Sequence, residues 1–457
     1  MSSAELPGDA GTAPATPESV TAGPVYPAPL VAWFTVVALF IAYIFSFIDR
    51  MIIGLLVEPM KADLNLTDTQ ISLLQGLAFA IFYTVLGLPL GRLIDRTARL
   101  KVAAAGVALW SLMTASCGLA GQYWQLFLAR MGVGVGEATL SPAAYSIISD
   151  SFPARRMGLA MGVYGLGSAV GAGLAFFIGA AVVQFVAGAE NLTLPIIGEV
   201  RAWQATFMIV GLPGLVIAAV FAVMPEPARL TAADPIKHVT VPLKVVGAFL
   251  RRRAGAVLGL CFAVGMVNFA VFAAVSWFPV FLMRVHGMGL VDAGRLAGGC
   301  LILGGLIGLV GGGWLTDKLG GTPGDRLRFC GLAAVVGTVC AVIFPLTDNL
   351  VIASGAFVIF FSTAAVPIGA AATALQQLTP NRMRATVSAV YLFIVNIIGL
   401  GAGPTATAML GDMLFPFESG IRYAIAVASP VSFAIAAGLF LMAARYSRRD
   451  IPFLASE

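Results

Sequence analysis

Long apolar stretches separated by short polar breaks run through almost the whole chain. Each stretch contains roughly the 20 apolar residues that a helix needs to cross a bilayer. The pattern therefore predicts an all-α membrane protein. Its twelve transmembrane helices, called spans 1 to 12, are expected at about residues 31–57, 69–93, 102–121, 124–149, 157–186, 202–224, 254–283, 291–315, 327–347, 349–377, 385–413 and 421–444.

Composition excludes a water-soluble fold. The 457 residues are 59% hydrophobic and only 11% charged, whereas soluble domains are about a quarter charged. The five cysteines lie in apolar stretches without CxxC spacing, so we interpret them as packing residues. The two histidines, His238 and His286, are too few for a metal cluster. The sequence thus predicts no metal site, no cofactor and no catalytic residues, and the net charge of +5 indicates no nucleic-acid partner.

Polar segments divide the chain into five parts. We expect a disordered proline-containing tail at residues 1–28, a six-helix bundle at 29–224 and a second six-helix bundle at 254–446. The linker at 225–253 ends in a basic stretch, Leu243–Arg253, that predicts a short amphipathic helix lying on the membrane. Residues 447–457 form a C-terminal tail.

The distribution of Lys and Arg predicts the orientation of the chain. Most of these residues fall on segments that share a side with both termini, while Lys61, Arg201, Arg284, Arg295 and Arg422 fall on the other side. Cytoplasmic loops carry the excess of positive charge. Both termini are therefore expected in the cytoplasm, and a bacterial inner membrane is the expected location.

The two halves of the chain share short motifs. Residues 91–96 (GRLIDR) after span 2 recur as residues 313–318 (GWLTDK) after span 8, and residues 153–156 (PARR) before span 5 recur as 380–383 (PNRM) before span 11. Such spacing indicates an internal duplication of six helices.

These features resemble a known family. Twelve spans in two duplicated halves, with G-x-L-x-D-R-x-x-R at residues 91–99, resemble the major facilitator superfamily over about residues 30–445. Residues 47–50 (FIDR) in span 1 and 130–138 (RMGVGVGEA) in span 4 are similar to the Spinster-type lipid transporters. The resemblance implies two pseudo-symmetric bundles around a central cavity, alternating access, and a monomer.

Four charged residues lie inside predicted spans, namely Asp49, Arg50, Arg130 and Glu137. A charge in hydrocarbon is costly, so each one indicates a partner or a function. The rise of about 1.5 Å per residue places Asp49 and Arg130 at similar depth and Glu137 about 10 Å deeper. Asp49 with Arg130 is the expected closest opposite-charge pair, and all four are expected to line one water-accessible cavity.

Two interpretations of these charges remain open. In one, Asp49–Arg130 and Arg50–Glu137 are neutralising pairs that only stabilise the first bundle. In the other, an arginine binds an anionic headgroup and Glu137 carries a proton. We favour this second interpretation, because apolar residues often replace a buried ion pair without loss of stability, so charges needed only for packing would not be required. Burial favours the neutral acid and a nearby arginine favours the carboxylate, so movement of Arg50 would couple substrate to proton.

The resemblance places the other cavity wall on spans 7, 8, 10 and 11 and two gates at the ends of spans 2 and 8. The expected wall residues are Asn268, Phe269, Phe272, Phe361, Ser362, Thr363, Tyr391 and Asn396, and the expected gating residues are Asp95, Arg96, Asp317 and Lys318. One charged wall opposite one apolar wall is typical of a site for an amphiphile. In the family, such an aspartate caps a helix of the other half, where the helix dipole favours a carboxylate.

The function that we favour from the sequence is secondary transport of an amphiphilic lipid, such as a lysophospholipid or a sphingoid phosphate, coupled to protons. The alternatives are a proton-coupled exporter of drugs or organic anions and, from another class, a receptor on the same fold that does not transport. An enzyme is not expected, because the sequence offers no nucleophile with a base and no phosphate-binding loop.

Overall fold

The structure is a computed structural model that describes residues 26–187, 193–194, 198–229, 243–319, 321–380 and 383–447. The helices are α1 (Pro29–Leu64), α2 (Asp68–Gln75), α3 (Leu77–Arg96), α4 (Arg99–Cys117), α5 (Tyr123–Glu137), α6 (Leu140–Ser151), α7 (Ala154–Ala187), α8 (Ala202–Gly211), α9 (Gly214–Val223), α10 (Leu243–Arg252), α11 (Val257–Val275), α12 (Phe278–His286), α13 (Leu290–Leu306), α14 (Gly312–Leu319), α15 (Pro323–Leu346), α16 (Leu350–Leu378), α17 (Arg384–Asn396), α18 (Gly403–Leu414) and α19 (Ile421–Ser447). Two short strands, β1 (Thr193–Leu194) and β2 (Gly198–Glu199), pair antiparallel between spans 5 and 6.

These helices form the twelve predicted spans. Spans 1, 3, 5, 9, 10 and 12 are the single helices α1, α4, α7, α15, α16 and α19. The other six each contain two consecutive helices: α2 and α3, α5 and α6, α8 and α9, α11 and α12, α13 and α14, and α17 and α18. Segments Ile307–Gly311 and Ile397–Ala402, which join the two helices of spans 8 and 11, are π-helical.

Span 4 is one of the six spans that contain two helices, and its break lies at its centre. Eleven helical stretches of the described chain are long and apolar enough to cross a membrane on their own, and span 4 is the segment that does not meet this criterion. Helix α5 ends at Glu137, where the amide of Thr139 donates to the carbonyl of Gly136 (3.2 Å). Broken helices at membrane depth are tolerated where they are buried in protein, and they often mark sites.

The two bundles touch mainly on one side of the membrane. We call the side on which α1 begins and α19 ends the terminal face, and the other side the opposite face. Toward the opposite face, span 5 meets span 8 so closely that a Cβ added to Gly173 would lie 2.8 Å from the carbonyl oxygen of Gly298. Span 2 meets span 11 in the same way, since a Cβ on Gly76 would lie 2.7 Å from the carbonyl oxygen of Leu400.

The buried apolar residues show the same asymmetry. One large cluster runs through the C-terminal bundle and continues into the opposite-face ends of spans 1 to 6. A second cluster, drawn almost entirely from the N-terminal bundle, lies toward the terminal face. On that face Gly91 of span 2 and Gly313 of span 8 have open space beside them. The two bundles are therefore in closest contact toward the opposite face.

The segment between the bundles contains the basic helix that the sequence predicts. Helix α10 buries Val246 and Phe249, while Lys244 and Arg251 are exposed. The expected tail at residues 1–28 lies largely outside the described residues, as do residues 230–242 of the linker and all but the first residue of the C-terminal tail.

Candidate functional site

The four intramembrane charges lie together inside the N-terminal bundle. Asp49 is 2% exposed, Arg130 is 0% exposed and Glu137 is 1% exposed. The side chain of Arg50 is 9% exposed. None of the four faces lipid, as the cost of a charge in hydrocarbon requires.

Glu137 is the centre of the site because two side chains of span 1 converge on one of its oxygens. Arg50 binds Oε2 through Nε and Nη2, both at 2.6 Å, and the hydroxyl of Ser46 donates to the same oxygen at 2.5 Å. Ser46 and Arg50 are four residues apart, so they share one face of the α1 helix. The break after α5 lies directly beyond this carboxylate.

Aromatic rings surround the guanidinium of Arg50. Its Cζ lies 4.6 Å from the ring centroid of Phe79, 4.8 Å from Tyr83 and 5.1 Å from Phe47. Such contacts stabilise a cation by about 0.5–2 kcal/mol, with the larger values where water is excluded. The rings would therefore hold Arg50 charged and in place when its carboxylate partner changes.

Arg130 does not form the expected ion pair with Asp49. Its Nη1 donates to the main-chain carbonyl of Asp49 at 3.0 Å, and its Nε donates to the carbonyl of Leu74 at 3.3 Å. The ion pair observed at this site joins Arg50 to Glu137. The expectation of Asp49 with Arg130 as the closest pair is wrong, because equal depth does not fix the direction in which two side chains point.

Several buried polar atoms at the site have no hydrogen-bond partner among the described residues. They are Asp49 Oδ1, Arg130 Nη2, Glu137 Oε1, Thr114 Oγ1 and both amide atoms of Gln75. Unpartnered buried polar atoms are rare in native proteins and call for an explanation, such as water, an ion or a functional role. Here they give the site room to accept a proton or a polar ligand group.

The expectation that all four charges line one water-accessible cavity is wrong for this conformation. Three of the four are at most 2% exposed, and the side chain of Arg50 reaches only 9%. The close approach of the bundles toward the opposite face and the packed rings around Arg50 shield the others.

Seven of the eight residues expected in the opposite wall are half-buried. Phe272 packs against the buried clusters of both bundles, and Phe361 packs beside Gly304 and Gly305 of span 8. The other half-buried members are Asn268, Phe269, Thr363, Tyr391 and Asn396. The amide of Asn268 donates to the carbonyl of Val264 at 3.1 Å.

Ser362 and Thr363 are not free to serve as wall residues. The hydroxyl of Ser362 donates to the carbonyl of Gly304 at 3.0 Å, which ties span 10 to span 8. Thr363 lies against Gly337 of span 9, inside the C-terminal bundle. Packing between helices thus involves both residues.

Three of the four expected gating residues are described, and they lie at the surface of the terminal face. Asp95, Arg96 and Lys318 are exposed, and Arg229 donates to the main-chain carbonyls of Ile94 and Asp95. The side chain of Asp317, the fourth expected gating residue, lies outside the described residues.

A polar latch at the opposite face is a feature that the sequence did not indicate. Arg284 of span 7 binds Glu58 of span 1 at 2.7 Å and both carboxylate oxygens of Asp68 of span 2 at 2.7 and 2.9 Å. Thr69 donates to Asp412 of span 11 through its amide at 3.0 Å and its hydroxyl at 2.6 Å. We call these five residues the opposite-face latch. From the sequence, Arg284 is only a loop charge on that side.

Arg99 is buried at the terminal face, whereas the sequence indicates only that it lies in the polar break between spans 2 and 3. It is 0% exposed and binds Asp150, Glu226 (2.8 Å) and the carbonyl of Pro227 (2.6 Å). Glu226 in turn accepts from the amide of Leu100 at 3.0 Å, at the first turn of α4. This network joins spans 3, 4 and 6 at the terminal face.

Metal binding has no candidate in the described chain. No group of three or more His, Cys, Asp or Glu residues there could hold an ion. All five cysteines are buried and free.

The chain matches the model of the Major Facilitator Superfamily over residues 39–404. It is 29% identical over 292 residues to an MFS-type efflux pump of Mycolicibacterium smegmatis, an alignment that covers 63% of each chain. It is 25% identical over 321 residues to a probable L-galactonate transporter of Escherichia coli, covering 67% of this chain and 66% of that one. The aligned part is therefore slightly less than two thirds of these two relatives.

Solved structures extend the comparison over nearly the whole chain. A crystal structure of a bacterial homologue of the human lysosomal transporter Spinster, in an inward-facing and unoccupied conformation, matches with a TM-score of 0.75 and 26% identity, covering 92% of this chain and 97% of that one. The inward-facing occupied form of that homologue matches with a TM-score of 0.71. Protein spinster homolog 1 of Xenopus tropicalis is 32% identical over 151 residues, which is 33% of this chain and 28% of that protein.

Proposed function

The chain belongs to the Major Facilitator Superfamily, and from this premise we propose that it is a proton-coupled secondary transporter of an anionic amphiphile. It is a multi-pass membrane protein and not an enzyme. The proposed mechanism is alternating access, in which the two bundles rock around one central site. The described conformation would then be the one open to the terminal face.

The observation that carries this proposal is the enclosed ion pair of Arg50 and Glu137. Both donors from span 1 use Oε2 of Glu137, so Oε1 is left without a partner. A carboxylate that loses its arginine in a dry environment binds a proton more readily. An anionic headgroup that competes for Arg50 would thus promote protonation of Glu137, and substrate binding and proton binding would be linked.

The contrast between the two walls supports this substrate class. The N-terminal bundle supplies Arg50, while the C-terminal bundle supplies half-buried Phe269, Phe272 and Phe361. A cation opposite an apolar surface suits a ligand with an anionic head and a hydrocarbon chain. A lysophospholipid or a sphingoid phosphate has this shape, and the similarity to Spinster homologues supports it.

A second candidate is a transporter of hydrophilic organic acids. Relatives of the chain include the probable L-galactonate transporter of Escherichia coli and the hexuronate transporter of Bacillus subtilis, which is 25% identical over 285 residues. A sugar carboxylate would bind Arg50 by the same charge-assisted hydrogen bonds as a phosphate. It would make no use of the phenylalanine side chains of the other wall.

We also propose the orientation and state of the protein in the membrane. The terminal face would be cytoplasmic, since it carries most of the Lys and Arg residues, and the membrane would be a bacterial inner membrane. The protein would work as a monomer, with Asp95, Arg96, Asp317 and Lys318 closing the terminal face when the opposite face opens.

Uptake into proteoliposomes distinguishes the two substrate classes. Labelled lysophosphatidylglycerol, sphingosine phosphate and galacturonate are offered to the purified protein with and without an imposed pH gradient. We expect gradient-stimulated movement of a lysolipid or sphingoid phosphate and none of galacturonate. Movement of galacturonate alone would contradict the lipid assignment and favour the second candidate.

A further inference from the structure

A groove on the outside of the C-terminal bundle has the form of a second lipid site. It has a volume of about 480 Å³ and lies between spans 7 and 12. Its walls include Leu258, Phe262 and Met266 of span 7 and Leu439 of span 12. The three residues of span 7 are spaced by four, so they share one face of α11. Phe262 is 43% exposed, which shows that the groove opens sideways, out of the bundle.

The length of the groove matches one leaflet of a bilayer. It begins at Ala254, at the terminal face, and reaches Met266. The nine steps of helix from Val257 to Met266 rise about 14 Å, close to half of a hydrocarbon core that is about 30 Å thick. An acyl chain that stands upright in the leaflet of the terminal face would fill it.

A cationic pocket adjoins the groove at its polar end. Met442 lines the groove and also a neighbouring cavity of about 560 Å³ that is bordered by Arg445 and Tyr446. A Cβ added to Gly255 would lie 2.7 Å from the ring of Tyr446, so the end of span 12 packs directly on the start of span 7. Arg251 precedes the groove by three residues, and both Arg251 and Arg445 are exposed.

We propose that this groove binds one anionic phospholipid of the surrounding leaflet, with an acyl chain between spans 7 and 12 and its phosphate at Arg251 and Arg445. The groove supplies apolar contact for an acyl chain, and the pocket supplies positive charge for a phosphate. The pocket lies at the end of the groove nearer the terminal face, as the headgroup of a phospholipid in that leaflet requires. Basic pockets between helices near a membrane surface attract anionic headgroups. This site is distinct from the central one, because it opens to the bilayer and lies outside the space between the bundles.

Native mass spectrometry of the full-length protein released from mixed nanodiscs tests the proposal. The probes are phosphatidylglycerol, which is anionic, and phosphatidylcholine, which is zwitterionic, at equal amounts. We expect one retained phosphatidylglycerol per protein. Each Arg near a surface contributes about 1 kcal/mol to binding of anionic lipid, so the double variant Arg251→Gln and Arg445→Gln should lower the preference for phosphatidylglycerol roughly 30-fold.

The matched control removes the same charge elsewhere on the terminal face. Lys244→Gln combined with Arg328→Gln changes two exposed cations that do not line the groove, and it should leave the preference unchanged. Leu439→Trp fills the groove and should abolish retention of both lipids. If the tryptophan variant does not fold, the arginine variants decide the question, since their side chains are exposed.

Two results would overturn the proposal. One is equal retention of the two lipids by the unmodified protein, which would mean that the groove only contacts bulk lipid. The other is a loss of preference in the control double variant that equals the loss in the arginine double variant, which would mean that overall charge, and not this pocket, attracts the lipid.

Discussion

Arg284→Gln should destabilise the closed state of the opposite face. In the described conformation Arg284 bridges spans 1, 2 and 7 through three hydrogen bonds to carboxylates. These bonds join the two bundles, so they exist only while that face is closed. In the other conformation water would solvate the same groups, and the substitution would cost little there.

The size of the effect follows from the burial of the partners. The side chains of Arg284 and Asp68 are 9% and 10% exposed, whereas Glu58 is 38% exposed. Loss of one partner of a buried charge pair costs about 2–5 kcal/mol, and an exposed pair contributes about 1 kcal/mol or less. Asp68 keeps its contact with Lys61 in the variant. We therefore expect about 2 kcal/mol, which shifts the equilibrium roughly 30-fold toward opening of that face.

Distance measurement between spin labels detects this shift. Trp124 of span 4 and Met413 of span 11 are 56% and 73% exposed at the opposite face, so cysteines there can be labelled while the buried native cysteines are protected. Electron–electron double resonance should show a longer distance population in Arg284→Gln. Arg422→Gln is the control, because Arg422 pairs with Asp348 at 2.9 Å within the C-terminal bundle. An unchanged distribution in Arg284→Gln, or an equal change in the control, would refute the reasoning.

Three further predictions concern the terminal face and the contact between bundles. Arg99→Met leaves the carboxylates of Asp150 (7% exposed) and Glu226 (31% exposed) without their arginine, and because Asp150 is the enclosed charge it should lower stability by about 3–5 kcal/mol; an unchanged melting temperature would contradict the network. Gly173→Leu adds a Cβ that would lie only 2.8 Å from the carbonyl oxygen of Gly298. It should therefore lengthen the distance between labels at positions 124 and 413, and an unchanged distance distribution would show that the helices adjust. Asp95→Asn should fold and insert but transport slowly, because it weakens a contact made in only one conformation; uptake at the wild-type rate would remove Asp95 from the gate.

The spans and the central charges are predictable from the sequence for a simple physical reason. A bilayer demands about 20 apolar residues for each crossing, and it penalises every charge within them. Length and polarity alone therefore locate the helices and select Asp49, Arg50, Arg130 and Glu137. The break in span 4 is less visible, because the glycines before Glu137 are also common in unbroken transmembrane helices.

Partner choice is not predictable in the same way. Helical rise gives the depth of Arg130 but not the direction of its side chain, and so its hydrogen bond to the main chain of Asp49 was not expected. The spacing of Ser46 and Arg50 does carry a usable signal, since it places two donors on one face. Arg99 and Arg284 lie at span ends, where an arginine can reach water and needs no partner, so their positions in the sequence indicate no contact. Their burial depends on residues more than a hundred positions away, Glu226 and Asp68.

The central claim is that Glu137 carries the proton that drives transport, and gradient-driven uptake by Glu137→Gln tests it directly. Glutamine keeps an oxygen that can accept from Arg50 and Ser46, but it cannot titrate. In proteoliposomes the variant should retain exchange of labelled for unlabelled lysolipid in the absence of a gradient, with a melting temperature near that of the wild type. An imposed pH gradient should no longer stimulate its uptake. Stimulation equal to that of the wild type in a stable variant would contradict the claim.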